Sequence, residues 1–387
     1  MRRPFVAAVV AFAVFFALFG GGTAQATPIF AQRFGFTCYV CHTAIPELNS
    51  FGEHFRRSGF NIPDAKRKGY FPLVLRFQET YNKDLLPAQT RRFNALAILI
   101  STGNFGRDQS FSYFARYFFG SQGAPGSLYY AYAQHVSPAT GVFERLGLSN
   151  LPLIANATQR LDTITSQPAY TYTVGHNSAN FANPRTGLMF GRRNDRQDIE
   201  VAASFDEYHG AAYGAPTPPG DLAQSFAQPE LFASATVEVA RGLAAGGLLM
   251  SGVRHFQSRS TPLAYDDAYA REGVQGSWTS KRFDLIGQQL WGRDSNADGF
   301  GNPQGSSGGF VTFKYRPAEH VYLGIRYDAV ANPFVTRDFD YYAAFAPSMH
   351  TRIVLEHVQP VGSGTPQTNA QLIFALPFEG RGATGPK

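Results

Sequence analysis

The feature that most constrains this chain is an alternation of apolar and polar residues that recurs from residue 71 to the C-terminus. In "HVYLGIRYD", one face of the segment would carry Val321, Leu323, Ile325 and Tyr327. Because successive side chains of a strand point to opposite faces, this spacing predicts a β-strand with one apolar face. "IEVAASFDEY" and "FPLVLRFQETYN" show the same pattern. We therefore predict an all-β fold for residues 70–387.

The number of alternating stretches and the connections between them suggest a closed barrel. Seventeen stretches begin near residues 71, 92, 110, 127, 141, 169, 186, 198, 231, 244, 270, 282, 309, 319, 338, 350 and 367. Tight connections such as "PATG" and "TSKR" alternate with long ones, at 211–229, 256–268, 293–308 and 360–367. Short turns on one rim and long loops on the other are typical of outer-membrane barrels, whose strand number is even in bacteria. We predict about 16 antiparallel strands, with one stretch false or broken.

Composition supports a wall that faces an apolar medium. Aromatic residues make up 14% of the chain and charged residues 16%, against about 25% charged in ordinary soluble domains. A soluble β-sandwich or a β-propeller is the alternative, but a propeller needs a repeat of about 40 residues, and we find none. The net charge of +6 comes from scattered arginine pairs, which gives no nucleic-acid signature.

The first 26 residues have the features of a secretory signal peptide. Arg2 and Arg3 supply the positive end, the run from Phe5 to Phe19 supplies the apolar centre, and Ala24-Gln25-Ala26 resembles a cleavage site. An uncleaved membrane anchor is the alternative, although the apolar run is shorter than the ~20 residues that span a bilayer. We predict a signal peptide at 1–26, a small segment at 27–69 and a barrel at 70–387.

Both cysteines of the chain lie in one motif, Cys38-Tyr39-Val40-Cys41-His42. Cys-x-x-Cys-His is the attachment signature of c-type haem. Two thiols at this spacing add to the two vinyl groups of one porphyrin, and the next residue, His42, supplies the proximal ligand of the iron. We therefore predict one covalent haem c. A disulfide between Cys38 and Cys41 is the alternative.

For the second axial ligand of the haem iron, the sequence offers His54. Pro46 favours a helix start and Gly59 a helix end, and the helix between them would carry His54 beside an apolar stripe formed by Leu48, Phe51 and Phe55. His54 could equally be a surface residue of a basic helix. In that case a histidine or methionine of the barrel would be the sixth ligand of the iron, or the sixth position would be open. The methionines after the predicted signal peptide are Met189, Met250 and Met349.

The segment "FAQRFGFTCYVCHTAIPELNSFGEHFRRSGF", residues 30–60, resembles the N-terminus of the outer-membrane monohaem cytochrome–porin family, which includes fused cytochrome–porins that oxidise ferrous iron. The matching residues are Phe30-Ala31, Gly35, the haem motif, Pro46, Leu48-Asn49, Gly52, Phe55 and Gly59-Phe60. "RLGLSNLPLIANATQRLD", residues 145–162, is also similar to a barrel segment of relatives.

This resemblance implies a small haem plug at the periplasmic mouth or inside a 16-stranded barrel, which passes electrons across the outer membrane. It carries over Cys38, Cys41 and His42 as haem-binding residues and assigns no iron-binding or catalytic residue. Many relatives share this architecture without a known electron donor. Iron oxidation is therefore only one of the functions that the resemblance implies.

A second motif, "RDSNADGFGNPQG", spaces Asp294, Asn296, Asp298 and Gly299 like the first half of a calcium loop. Such a loop needs a bidentate glutamate at its twelfth position, where this chain has Gly305. The motif therefore favours a turn-rich extracellular loop over a calcium site.

Three functions are consistent with the sequence. The first is an electron conduit in the outer membrane of a Gram-negative bacterium, which contacts outer-membrane lipid and exchanges electrons with periplasmic cytochromes. It accepts electrons from an extracellular one-electron donor such as Fe(II), or releases them outward. The second is a diffusion porin with a structural disulfide. The third is a haem enzyme of peroxidase type, which requires an open sixth position on the iron.

Overall fold

The structure is a computed structural model that describes residues 29–36, 40–44, 47–48, 50–62, 71–82, 93–106, 108–120, 126–151, 153, 163–194, 196–207, 222–318, 320–332, 334–348 and 351–377. The predicted signal peptide and the boundary between residues 69 and 70 lie outside these ranges. Both stay predictions. In the described part, no helix is long and apolar enough to cross a membrane.

Sixteen antiparallel strands close into one barrel, as the sequence predicts. Before it come α1 (Ile29–Phe34), β1 (His42–Ala44), β2 (Glu47–Leu48) and α2 (Ser50–Arg57). The barrel consists of β3 (Leu73–Asn82), β4 (Phe93–Phe105), β5 (Phe111–Phe118), β6 (Ser127–Val136), β7 (Val142–Ser149), β8 (Arg185–Arg193), β9 (Gln197–Glu207), β10 (Leu222–Ala240), β11 (Leu243–Ser258), β12 (Ala264–Thr279), β13 (Phe283–Asp294), β14 (Gln304–Ala318), β15 (Val321–Asn332), β16 (Phe334–Ser348), β17 (Thr351–Pro360) and β18 (Gln367–Pro377). Between β7 and β8 lies the one-turn helix α3 (Pro168–Thr171). Neighbouring strands in sequence pair with each other, and β18 pairs with β3 to close the ring.

The outer wall is apolar and the inner wall is polar. In β15, Leu323 is 46% exposed, whereas Arg326 on the opposite face is 2% exposed. Other strands expose the same kind of side chain, including Ile199, Val201, Leu249, Val274, Val311 and Leu355. A soluble sandwich would bury this face in a core, but a membrane barrel turns it toward lipid. The predicted outer-membrane barrel and its outer-membrane location are confirmed.

The stretch near residue 169 is not a strand, so this prediction is wrong. Residues 168–171 form α3, whose Ala169 and Tyr170 are buried inside the barrel. Pro168 occupies a first-turn position of this helix, where its missing N–H costs no hydrogen bond. The long connections are also shorter than predicted, because β10 starts at Leu222 and β14 at Gln304.

Connection lengths divide the barrel into two ends. The short-turn rim is formed by the connections 106–110, 137–141, 194–196, 241–242, 280–282, 319–320 and 349–350. The long-loop rim carries the other connections, including 150–184 and 208–221, although a single residue, 333, joins β15 to β16. In barrels of this type the short turns face the periplasm.

The described residues of the connection 150–184, which are 150–151, 153 and 163–184, lie in the lumen. Of these, Leu151, Tyr170 and Phe181 are buried in one cluster with side chains of the facing walls, among them Phe143, Phe232, Leu248 and Phe310. Backbone N–H groups of Ile164 and Thr165 donate to Glu356 Oε1 at 2.9 and 3.0 Å. The part of the lumen that these residues occupy is therefore packed like a protein core.

Candidate functional site

The haem motif lies at the edge of an aromatic cluster. Cys41 is half-buried against it, and His42 begins β1, where it pairs with Leu48 of β2. Burial raises the pKa of the Cys41 thiol above its ordinary value, so the sulfur stays protonated at neutral pH. Cys38 lies outside the described residues, so the predicted alternative of a Cys38–Cys41 disulfide stays a prediction.

Six phenylalanines form this aromatic cluster, at positions 30, 34, 36, 51, 55 and 60. Phe55 is its centre, because its ring contacts Phe30 at 5.0 Å, Phe34 at 5.6 Å and Phe60 at 5.9 Å between centroids. Aromatic pairs at these separations add to the stabilisation from burial. The cluster gives the short N-terminal segment a core of its own.

Helix α2 packs directly on the haem motif. A Cβ added at Gly52 would lie 2.0 Å from the carbonyl oxygen of Cys41, so only glycine allows this approach. The predicted helix is confirmed from Ser50 onward, but residues 47–48 pair as a strand and Pro46 is outside the described residues. The predicted helix end is confirmed, since Gly59 has φ +74° and Phe60 N–H donates to Phe55 O at 2.9 Å.

The segment is anchored to the barrel wall at the short-turn rim. The buried Arg33 guanidinium donates to Asn104 Oδ1 and, at 2.6 Å, to Gln109 Oε1. Asn104 in turn donates to the carbonyl of Gly59. Phe60 stacks on Phe114 of the inner wall, with 6.3 Å between the ring centroids. The haem motif is thereby held at the mouth that faces the periplasm in such barrels.

His54 is exposed on α2 and lines a cavity of about 520 Å³ at the short-turn rim. The opposite side of this cavity is formed by wall and turn residues that include Thr140, Arg196 and Glu238. Neither Cys41 nor His42 lines it. The structure thus places His42 and His54 in one small segment but does not bring them to one cavity.

The methionines lie elsewhere. Met189 and Met250 are buried in the luminal cluster, where Met189 Sδ accepts from Arg145 at 3.7 Å. Met349 lies outside the described residues. Two of the three alternative sulfur ligands are therefore packed in the barrel core and not in the aromatic cluster around Cys41.

The donor set around Cys41 fits a covalently bound haem. Val40 is 36% exposed and Phe51 is 40% exposed, and both flank the point where α2 meets the Cys41 backbone. Large exposed apolar side chains are expected where a ligand or partner covers them. The Cys41 thiol and the adjacent His42 imidazole are two of the groups that would hold a haem c, and the second thiol, Cys38, lies outside the described residues.

The lumen carries ion-pair networks that the sequence does not reveal. Arg185 Nε lies 2.8 Å from Glu230 Oε1, and Arg254 Nη2 lies 2.7 Å from Glu207 Oε2. Tyr269 donates its hydroxyl to Glu230 at 2.5 Å. All of these side chains are buried. The alternating pattern of the sequence indicates that these side chains face inward. It does not indicate which of them pair, because the pairs depend on the register between strands in the folded barrel.

The remaining inner wall is more open. On β3 the inward side chains Arg76, Gln78, Thr80 and Asn82 are half-exposed. Arg76 donates to Gln78 Oε1 at 2.6 Å, and Gln371 of the adjacent β18 donates to Thr80 at 3.1 Å. The inner face of β3 is therefore polar and partly exposed.

The calcium-like motif is a structural loop. Asp294 forms an ion pair with Arg271, with 2.7 Å between Oδ2 and Nη1, and also accepts from Asn177. Asp298 accepts from the Phe300 N–H at 3.0 Å. Within the described residues no three His, Cys, Asp or Glu side chains gather as in a metal-ion site. These contacts agree with the turn-rich loop that the missing twelfth-position glutamate predicts.

No protein-family model matches the sequence, and no curated protein does. Solved structures match the fold. The outer membrane channel DcaP of Acinetobacter baumannii is similar with a TM-score of 0.53 and 10% identity, over 82% of this chain and all of that one. An anion-selective porin from Comamonas acidovorans matches at 0.57 and 11%, over 80% of this chain and all of that one. Salmonella typhi OmpF in complex with daunomycin matches at 0.58 and 7%, over 80% and 98%.

Proposed function

We propose that this chain is an outer-membrane electron-transfer protein that carries one covalent haem c on Cys38 and Cys41, with His42 as the proximal ligand. The observation that carries the proposal is the placement of Cys41 and His42 on an exposed apolar surface at the barrel mouth. Haem c supplies a one-electron Fe(III)/Fe(II) couple when bound. The resemblance to the monohaem cytochrome–porin family supports the same function.

The residues of the segment have separate roles in this proposal. The sulfurs of Cys38 and Cys41 would hold the haem, and the Phe55 cluster would exclude water beside Cys41, which is one influence on the potential of a haem. Arg33 and Asn104 fix the segment against the wall. Periplasmic cytochromes would exchange electrons at this mouth, and a small one-electron donor such as Fe(II) would approach from the long-loop rim.

His54 is our candidate for the distal ligand. Its exposure leaves the imidazole accessible, and α2 holds it two residues from Gly52, which touches Cys41. We expect His54→Ala to convert the visible spectrum from low-spin six-coordinate to high-spin. Carbon monoxide binding to the reduced wild-type protein would instead indicate an open site and the peroxidase-type alternative. An unchanged spectrum in the variant would assign the ligand to another residue.

A diffusion porin is the second candidate, and the structural neighbours favour it over electron transfer. Their printed names describe a channel and porins, and the half-exposed polar face of β3 offers a path for small solutes. Such a likeness at low identity concerns the fold, and one fold serves many functions. In this candidate the two cysteines form a disulfide.

Two measurements on the purified full chain separate these candidates. Electron transfer predicts that protein in liposomes shows a ferric Soret band that shifts to the ferrous position when Fe(II) is added outside. If dithionite shifts the Soret band and Fe(II) does not, Fe(II) is not the electron donor. A pyridine haemochrome spectrum without haem, together with ohmic conductance in planar bilayers, would establish the porin.

A further inference from the structure

The outer wall of β9–β13 carries a groove within the apolar belt. Its floor consists of the small residues Ala233, Ala235 and Gly247, and its sides of larger exposed ones, namely Ile199, Val201, Leu249, Val274 and Trp291. The volume of the groove is about 590 Å³. We call this the outer groove. Small outward residues beside large ones leave a depression that a flat lipid-facing wall lacks.

The same strands carry exposed cations at their short-turn ends. These residues, which we call the basic arc, are Arg192, Arg196, Arg241, Lys281 and Arg282. Arg192 lies near the end of β8, and the other four belong to three consecutive turns of the rim, because β8 to β13 are neighbours in the barrel. Arg192 and Arg196 also border the cavity that His54 lines at this rim. Five exposed cations in and beside three adjacent turns form a concentrated positive surface.

Three acidic side chains near these turns are already bonded within the protein. Asp198 is buried and accepts from Arg193 at 3.1 Å. Glu238 accepts from the Gly242 N–H at 3.0 Å. Asp284 is buried in an ion pair with Arg316. Asp195 of the 194–196 turn lies outside the described residues, and Glu144 is exposed on the neighbouring β7. The five cations therefore outnumber the acids that remain for the outward side of the arc.

The outer groove lies directly above the basic arc at the depth of one membrane leaflet. Ala235 and Val274 are five residues from the ends of their strands at Ala240 and Thr279. At about 3.3 Å per residue and a tilt of about 40°, this places them roughly 10–13 Å above the turns. Trp278, 44% exposed, lies between groove and arc, at the interfacial depth that tryptophan prefers.

We propose that the outer groove and the basic arc together bind one anionic phospholipid of the periplasmic leaflet. The groove takes an acyl chain, and the arc takes the phosphate. Basic residues next to an apolar groove are the arrangement that retains anionic lipids at membrane proteins. Glu272 lies at the end of the groove farthest from the turns, so its carboxylate does not face the phosphate.

The test measures lipid retention by the purified full-length protein, using native mass spectrometry with phosphatidylglycerol and phosphatidylcholine of identical acyl chains. Wild type should retain phosphatidylglycerol about tenfold better, and the variant Arg196→Gln/Arg241→Gln/Lys281→Gln should lose about that preference. The matched control, Arg259→Gln/Arg293→Gln/Arg337→Gln, removes three exposed cations near the long-loop rim and should keep it. Heat-dependent migration on gels checks that each barrel is closed.

A groove-filling variant tests the second half of the site. Ala235→Trp should lower retention of both lipids, because the new ring occupies the space of the acyl chain. Equal retention of the two lipids by wild type, or an unchanged preference in the triple variant, would overturn the proposal. Retention that survives Ala235→Trp would overturn the groove as the chain site. If Ala235→Trp instead splits an oligomer, the groove is a contact between copies and the lipid site is refuted.

Discussion

The barrel and the N-terminal segment distribute their side chains in opposite ways. In the barrel, aliphatic residues such as Leu323 face outward, and charged residues such as Arg326 and Glu230 are buried. In residues 29–62, the phenylalanines pack inward around Phe55, as in a small soluble domain. The barrel is held by continuous strand pairing and buried ion pairs, whereas the segment depends on one aromatic cluster and a few anchors. Damage to one should therefore leave the other intact.

The largest expected effect is on the barrel lumen. Glu230→Ala removes the nearest carboxylate of Arg185 and leaves Glu207 as the one acid that both buried arginines share. We expect a loss of about 3 kcal/mol in the free energy of unfolding, the low end of the cost of breaking a buried ion pair, because Glu207 still compensates part of the charge. Urea unfolding in micelles measures it. Asp206→Ala, which removes an exposed acid of β9, is the control. An equal loss of unfolding free energy in this control would show that the buried network does not stabilise the barrel.

The next effect concerns the segment alone. Phe55→Ala removes the central ring of the cluster and should cost the segment about 3 kcal/mol, without changing the barrel's unfolding midpoint. Limited proteolysis should then cleave the chain within residues 29–62 while the barrel resists. Phe334→Ala, at an 81% exposed phenylalanine of β16, is the control. A lowered barrel midpoint in Phe55→Ala would contradict the independence of the two regions.

The smallest expected effect is a pH dependence of the stability of the turn 106–110, which contacts the N-terminal segment. Asp108 accepts from the Ser110 N–H at 3.2 Å and from its hydroxyl at 2.9 Å, and these bonds hold the pKa of the Asp108 carboxyl below its ordinary value. A lowered pKa stabilises the folded turn above the ordinary value of about 3.9. This stabilisation is lost as the pH falls through the folded pKa.

Hydrogen exchange of the 106–110 amides should therefore accelerate on acidification from pH 5 toward pH 3, after correction for intrinsic rates. Asp108→Asn should abolish the acceleration, because asparagine does not titrate. An identical pH profile in both proteins would exclude Asp108 as the group responsible.

The sequence predicts the barrel better than it predicts the interior. Alternation at Ile199, Val201 and Leu323 identifies the lipid face, because a strand repeats its faces every two residues. The same rule misassigns the stretch near residue 169, where Ala169 and Tyr170 are buried by packing against distant strands. No local pattern indicates that Asp294 pairs with Arg271, since that pair depends on the register between β12 and β13.

The N-terminal segment shows the opposite balance. The haem prediction rests on five consecutive residues, Cys38 to His42, and the helix end that Gly59 predicts is confirmed. The position of the segment is not readable, because the anchor from Arg33 to Asn104 and Gln109 joins residues more than 70 positions apart. A motif defines what the segment can bind, but tertiary contacts define where it sits.

The most direct test of electron transfer is the haem content of the purified chain. The pyridine haemochrome spectrum should give one haem per polypeptide that resists acid–acetone extraction, and this haem should be lost in Cys38→Ser/Cys41→Ser while the barrel still closes. A wild-type chain without haem, whose two thiols react with iodoacetamide only after reduction, would contradict the account and identify a disulfide-bonded porin.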